Sequence, residues 1–180
     1  MLTNIPEKPD VALIHLGTND LQLRCRNENQ AWYALNTDEI KDNLREIIRK
    51  LRAEKNANIR VFLAQIIPTI PAWNTECTND LKDPGWIPDP NAELNKDLNP
   101  AIRLLNEKIA VLVDEENRAD SPVCLVDQFS GMIDGARNVQ WMYYRPDGLH
   151  PNDDGAIEIA RRWFLALTGK EPTGRGECLP

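Results

Sequence analysis

The chain has 180 residues, a formal net charge of −7 and 42% hydrophobic residues, which suits one domain with a sizeable core. It is acidic and shows no basic stripe, so a nucleic-acid partner is not expected; no apolar run approaches bilayer-spanning length, so neither is a membrane span. Met1 to Asp10 lacks a basic-then-apolar start, so no signal peptide is read and localisation stays open.

Val11 to Leu16 is a continuous apolar run after Lys8-Pro9-Asp10. It is too short for a helix and does not alternate, so it reads as a strand buried on both faces of a parallel sheet. His15 within it reads as a packed, hydrogen-bonded core residue. Gly17-Thr18-Asn19-Asp20 ends the strand as a turn. A polar loop from Gln22 to Asn36 carries Trp32 and Tyr33, candidates for lining a groove. Thr37 is placed to cap a helix over Thr37–Lys55, with Asp38 and Glu39 in its positive first turn. Ile40, Leu44, Ile47, Ile48 and Leu51 form its apolar stripe.

Arg60 to Ile67 is a second buried strand, stopped by Pro68. From Thr69 to Asn99 the chain is rich in Pro, Asn and Asp, with Trp73 and Trp86. A loop of that length is often functional. Asn99-Pro100 starts a helix to Asp114, with Asn99 as its cap and Ile102, Leu105, Ile109 and Leu112 as its stripe. Val123 to Asp127 is a third buried strand. Asn152 caps a last helix, Asp153–Leu167, whose apolar face is read as Ala156, Ala160, Trp163, Phe164 and Leu167, with Gly169 ending it. The tail 170–180 looks loose, leaving a single domain with its core over about 8–169.

Of the four cysteines, Cys124 lies in an apolar run and reads as a buried thiol. A disulfide between two of Cys25, Cys77 and Cys178 is open, with nothing to choose the pair. With two histidines and no clustered cysteines, no metal site and no cofactor are expected.

Strands alternating with helices argue for a parallel sheet with right-handed crossovers, whose site lies beyond the carboxyl ends of the strands. Two loops fall there. In Arg145-Pro146-Asp147-Gly148-Leu149-His150-Pro151-Asn152, the Asp147 carboxylate is close enough to orient the His150 imidazole and fix its tautomer. That is the orienter-and-base half of a hydrolytic triad, although a lone Asp-x-x-His is more often a chance surface turn. In the Gly17–Asp20 turn, the Asn19 amide and the Gly17 backbone N–H are candidate donors to a developing oxyanion, and Gly17 allows close approach of a substrate.

The two loops together resemble the SGNH (GDSL-type) hydrolases. Gly17-Thr18-Asn19-Asp20 matches the block with the oxyanion-hole asparagine. Asp147-Gly148-Leu149-His150-Pro151 matches the block with the catalytic aspartate and histidine. Pro9-Asp10-Val11, Ala64-Gln65-Ile66-Ile67-Pro68 and Val126-Asp127-Gln128 look like the acetyl xylan esterases of the third carbohydrate-esterase family. The resemblance runs from about Lys8 to Leu167. It implies a flavodoxin-like three-layer α/β/α fold and deacylation of small esters or acylated carbohydrate, with the tryptophans and Tyr33 as sugar platforms. It also implies a departure, because the family's nucleophilic serine and oxyanion glycine belong to blocks that would precede Lys8. Only Ser121 and Ser130 are present; Ser121 is at the wrong end of the sheet and Ser130 in the wrong loop. The expected form is therefore a sheet truncated to about three strands. The competing expectation is a non-catalytic carbohydrate-binding or interaction remnant. With the first strands lost, Val11–Leu16 becomes an unprotected edge, and a homodimer through antiparallel pairing of that edge is expected, each chain shielding the other's open face.

Overall fold

The computed structural model describes residues 8–21, 37–70, 99–136 and 138–169. Along the chain run β1 (Val11–Ile14), the short α1 (Thr18–Leu21), α2 (Thr37–Glu54), β2 (Arg60–Ala64), α3 (Asn99–Glu116), β3 (Val123–Val126) and α4 (Asp153–Thr168), with single 3₁₀ turns at Ser130–Met132 and Trp141–Tyr143. The strands form a parallel sheet in the order β1-β2-β3. This is the α/β arrangement expected from the alternating elements.

Strand alternation sorts the side chains onto two faces. Ile14, Val61, Leu63 and Val123 join the stripes of α2 and α3 (Ile40, Leu44, Ile48, Leu51, Ile102, Leu105, Ile109, Leu112) in one buried cluster. Phe62, Ala64, Cys124 and Val126 face the other way, against Trp163 and Ala166 of α4. That α2 and α3 share one face is what two successive right-handed crossovers in one direction require, and α4, after the last described strand, covers the other.

Several expectations are corrected. β1 is not buried on both faces: Ile14 is buried, but Val11 is 45% and Leu13 50% exposed. Among the described residues α4 docks on Phe62, Ala64, Cys124 and Val126 rather than on Val11 or Leu13. Gly17–Asp20 is no simple turn, because Thr18–Leu21 closes one helical turn through Leu21 N–H to the Gly17 carbonyl. Thr37 is already helical. Asn99 is itself the first residue of α3, and its side chain also ties the helix to the preceding segment: its amide donates to the Thr69 carbonyl (2.8 Å), and its oxygen accepts from the Thr69 N–H (2.9 Å). α3 runs on to Glu116, whose carboxylate is buried against Arg52. The buried side of α4 is Ile159, Trp163 and Ala166, whereas Phe164 and Leu167 stay exposed at 54% and 37%, as do Ala156 and Ala160. Cys124 is not a free thiol but disulfide-bonded; Cys25, Cys77 and Cys178 lie outside the described residues. The Asn152 cap and the left-handed Gly169 stop of α4 are as expected.

The amino ends of β2 and β3 are locked by a buried polar knot. Arg52 donates through Nε to the Ser121 hydroxyl (2.9 Å), through Nη1 to Glu116 (2.9 Å), and through Nη2 to the Glu116 and Ser121 carbonyls. The Ser121 hydroxyl in turn donates to the Ile59 carbonyl (2.6 Å). Ser121 is thereby committed to structure, at the end of the sheet away from the two marked loops.

Candidate active site

After β3 the chain makes a two-stranded excursion. Tyr144 and Pro151 form an antiparallel bridge, and the Arg145 N–H donates to the His150 carbonyl (2.9 Å). Between them, Gly148 N–H donates to the Arg145 carbonyl (2.9 Å), closing a turn in which Gly148 has φ 66°. This left-handed conformation favours glycine. The excursion is pinned to α4 by Asn152, whose amide donates to the Met142 and Tyr144 carbonyls while its oxygen accepts from the Gly155 N–H. Gly155 is needed there, because a Cβ would stand 2.2 Å from the Tyr143 carbonyl oxygen.

At the tip, the Asp147 carboxylate is held from three sides. Oδ1 accepts the N–H groups of Leu149 (2.9 Å) and His150 (2.8 Å), and Oδ2 lies 3.0 Å from His150 Nδ1. Burial alone would raise the Asp147 pKa. The His150 and Leu149 N–H groups and the imidazole outweigh it and hold the carboxyl below its ordinary value. An ionised carboxylate at Nδ1 makes that nitrogen the donor, so the lone pair of the neutral ring sits on Nε2. Nε2 has no hydrogen-bond partner among the described residues, and the side chain is 60% exposed.

The tip is carried by the segment that leaves β2. Ile70 N–H donates to the Gly148 carbonyl (2.9 Å), and the Tyr144 hydroxyl donates to the Pro68 carbonyl. Burial raises the Tyr144 pKa, keeping the phenol a donor. That segment is itself clamped by α3: Asn106 pairs with the Ile66 N–H (2.7 Å) and carbonyl (2.9 Å) as Asn99 does with Thr69. Two asparagines about two turns apart on one face of α3 thus pair with the backbone of the segment that leaves β2. None of these supports was singled out from sequence. Asn99 and Asn106, seven residues apart on the inward stripe of α3, were the available signal, since a buried amide needs partners.

Gly17 and Asn19 follow β1 at the same, carboxyl end of the sheet. Asn19 is exposed on α1, and no hydrogen bond joins it to His150. The expectation that Gly17 makes room for substrate is corrected. At φ 121° its missing Cβ would meet Ile40, Leu105 and Ile66 at 3.3–3.5 Å, so the space belongs to the core. Ser130 lies near this end but is engaged elsewhere: its hydroxyl donates to Asp127 Oδ2 and receives Arg162 Nη1 (3.1 Å). Trp32, Tyr33, Trp73 and Trp86 lie outside the described residues. Among the described residues no group of three His, Cys, Asp or Glu side chains could hold a metal ion.

The family model for GDSL-like lipases and acylhydrolases matches residues 3–163. Compared by sequence with curated proteins, the chain has no match. Among solved structures it is similar to a carbohydrate esterase family 3 protein from Talaromyces cellulolyticus, with 26% identity and a TM-score of 0.60 over 91% of this chain and 59% of that one. An acetyl esterase mutant crystallised with acetate ion gives the same values. A GDSL-like lipase from Bacteroides thetaiotaomicron shares 22% identity at a TM-score of 0.60, over 91% of this chain and 64% of that one. The chain thus spans about three fifths of the length of these neighbours.

Proposed function

The chain belongs to the GDSL-like lipase/acylhydrolase family, and on that premise we propose that it is a carboxylic ester hydrolase acting on short-chain esters, with acetylated polysaccharide as the natural substrate class. The observation that carries the reading is the Asp147–His150 pair, 3.0 Å apart with Nε2 open to solvent. The substrate class is supported by the similarity to carbohydrate and acetyl esterases.

In this reading His150 Nε2 is the general base, Asp147 the orienting anion, and Asn19 a donor to the developing oxyanion. The two serines of the sequence are bonded elsewhere, Ser121 to Ile59 and Arg52, Ser130 to Asp127 and Arg162. For these 180 residues by themselves, water activated by His150 is the proposed nucleophile. Nε2 takes one of its protons as the hydroxide oxygen adds to the ester carbonyl carbon. The tetrahedral intermediate then expels the alkoxide, which recovers the proton from the imidazolium. In triad proteases, the oxyanion hole and binding alone retain roughly 10³–10⁴-fold catalysis over water when a triad member is removed. Hydrolysis at that modest level is the proposed activity of this form.

The same bonding of Ser121 and Ser130 favours a second reading, a protein that binds acylated sugars without turning them over. Hydrolysis of p-nitrophenyl acetate, lost in His150→Ala, supports the first reading. Saturable binding of acetylated xylan with no turnover supports the second. Labelling by a fluorophosphonate would reveal a serine nucleophile and overturn the water mechanism.

A further inference from the structure

We propose that Arg145 forms a carboxylate subsite beside His150, taking a carboxylate presented by an acidic sugar of the substrate or by the acid that hydrolysis releases. The role of the subsite rests on the ester-hydrolase reading above, but binding to it does not need turnover.

The hairpin register places Arg145. The Asn152 N–H donates to the Tyr143 carbonyl and the Arg145 N–H to the His150 carbonyl, both at 2.9 Å. These bonds bracket Tyr144 and Pro151 as an antiparallel pair and set Arg145 directly opposite His150. Residues directly opposed on a two-stranded ribbon carry their side chains on the same face, with Cβ atoms about 5 Å apart. Neighbours along each strand alternate. Tyr144 turns inward, buried and bonded to the Pro68 carbonyl, and Arg145 and His150 turn outward and are exposed. The longer arginine side chain therefore extends alongside and beyond the imidazole ring.

Charge and bonding give the second argument. Arg145 is the only permanent cation between Tyr144 and Pro151. Asp147 does not match it, because its Oδ1 takes two backbone N–H groups and its Oδ2 the imidazole. Among the described residues Arg145 makes no ion pair, although Asp147, Asp153 and Asp154 are near in sequence. The arginines of α2 and α4 are all matched, by Glu115, Glu116 and Glu158. The five donors of Arg145 thus have no structural use, and they stand beside the base.

A donor that stabilises an oxyanion is held in place beforehand by its neighbours. Nothing among the described residues fixes Arg145 in that way, so the ligand it suits is an anion present before and after the chemical step. A guanidinium grips a carboxylate through two parallel N–H···O bonds. Ester hydrolysis creates a carboxylate at the very carbon that Nε2 serves. A sugar acid presents one within a ring's width of an acylated hydroxyl.

Calorimetric titration of the 180-residue chain with glucuronate, glucose, acetate and inorganic phosphate tests this. The expected result is saturable binding of a carboxylate and none of glucose. Arg145→Gln should weaken that binding roughly tenfold or more with an unchanged melting temperature, the loss of a charge-assisted pair of hydrogen bonds. Arg145→Lys should restore only part of it, because an ammonium lacks the fork. Glucuronate bound more tightly than acetate assigns the subsite to an acidic sugar of the substrate, and the reverse order assigns it to the released acid. The absence of carboxylate binding, binding that survives Arg145→Gln, or phosphate bound most tightly overturns the proposal. Hydrolysis of p-nitrophenyl acetate, measured alongside, keeps the two readings apart. Arg145-dependent binding without hydrolysis leaves the subsite standing and removes the hydrolase reading, whereas hydrolysis without carboxylate binding does the opposite.

Discussion

The Tyr144 hydroxyl donates to the carbonyl oxygen of Pro68. The loop bearing the Asp147–His150 pair thus hangs from the segment that leaves the central strand. Pro68 interrupts that segment's path along the sheet, and among the described residues no strand pairs with its carbonyl. Tyr144 supplies the donor, and the Ile70 N–H donates to the carbonyl of Gly148, which lies between Asp147 and His150. Because α3 clamps the same segment through Asn99 and Asn106, the dyad is positioned by the core rather than by its own short hairpin.

Tyr144→Phe should therefore weaken both stability and catalysis. Leaving the Pro68 carbonyl unpaired costs about 1–3 kcal/mol. The rate on p-nitrophenyl acetate should fall several-fold, chiefly in kcat, because the loop is displaced and no substrate contact is removed. Thermal denaturation and steady-state kinetics on one preparation check both. An unchanged kcat would mean that the loop holds its geometry without this bond.

Asp147→Asn tests the orienting role apart from the base. The amide can still accept the Leu149 and His150 N–H groups, so the turn survives. The charge that selects the Nδ1–H tautomer does not survive. Activity should drop roughly 10²–10⁴-fold while circular dichroism is unchanged and melting temperature falls only by the small contribution of the lost carboxylate. His150→Ala should remove the activity altogether. A His150→Ala chain that keeps the full rate would show that the hydrolysis arises elsewhere.

The strands, helices and Asp-x-x-His loop were legible because each rests on local pattern: apolar runs, 3.6-residue stripes and turn residues. What was not legible came from packing between distant segments. The run around Cys124 reads as buried, but nothing local reveals that its sulfur is bonded. Gly17 looks like room for a ligand until Ile40, Leu105 and Ile66 arrive from three other segments. α4 offers two apolar stripes a quarter-turn apart. Only the docking of Trp163 and Ala166 on Phe62 and Cys124 decides which one is buried. The Asn99 clamp escaped because an asparagine at a helix start reads as a cap, and the Asn106 clamp because its partner, the Ile66 backbone, comes from a distant segment.

The Arg52–Glu116 knot should dominate stability among the polar contacts. Both side chains are buried, and Glu116 also receives Arg49 (2.7 Å). Removing one partner strands a charge in the interior, so Arg52→Ala or Glu116→Ala should cost about 3–5 kcal/mol. Arg52→Ala should be worse than the loss of charge alone, since it also frees the Ser121 hydroxyl and two carbonyls. Urea denaturation measures the difference, and a cost below about 1 kcal/mol would place the pair with ordinary surface ion pairs.

Acid should loosen the fold through two groups acting in sequence. Burial lowers the His15 pKa from 6.5, against a smaller opposite effect from its hydrogen bond to the Gln65 backbone, and its buried Nε2 has no hydrogen-bond partner among the described residues. The folded chain therefore binds fewer protons at His15 than the unfolded chain does. Stability from this residue is fully present above about pH 6.5 and is lost as pH falls through the depressed folded value. Asp147 follows at lower pH. Its pKa is also depressed on folding, so its contribution is present above the ordinary carboxylate value and disappears as pH drops through the lowered one. Melting temperature should thus begin to decline just below pH 6.5, well before carboxylates titrate. The first part of that decline should vanish in His15→Gln, whose amide keeps a donor for Gln65 without a titrating ring. Asp147→Asn should leave the first part intact and flatten only the second. If His15→Gln and the unaltered chain lose melting temperature in parallel from pH 7 to 5, proton uptake at His15 is not what drives the early loss.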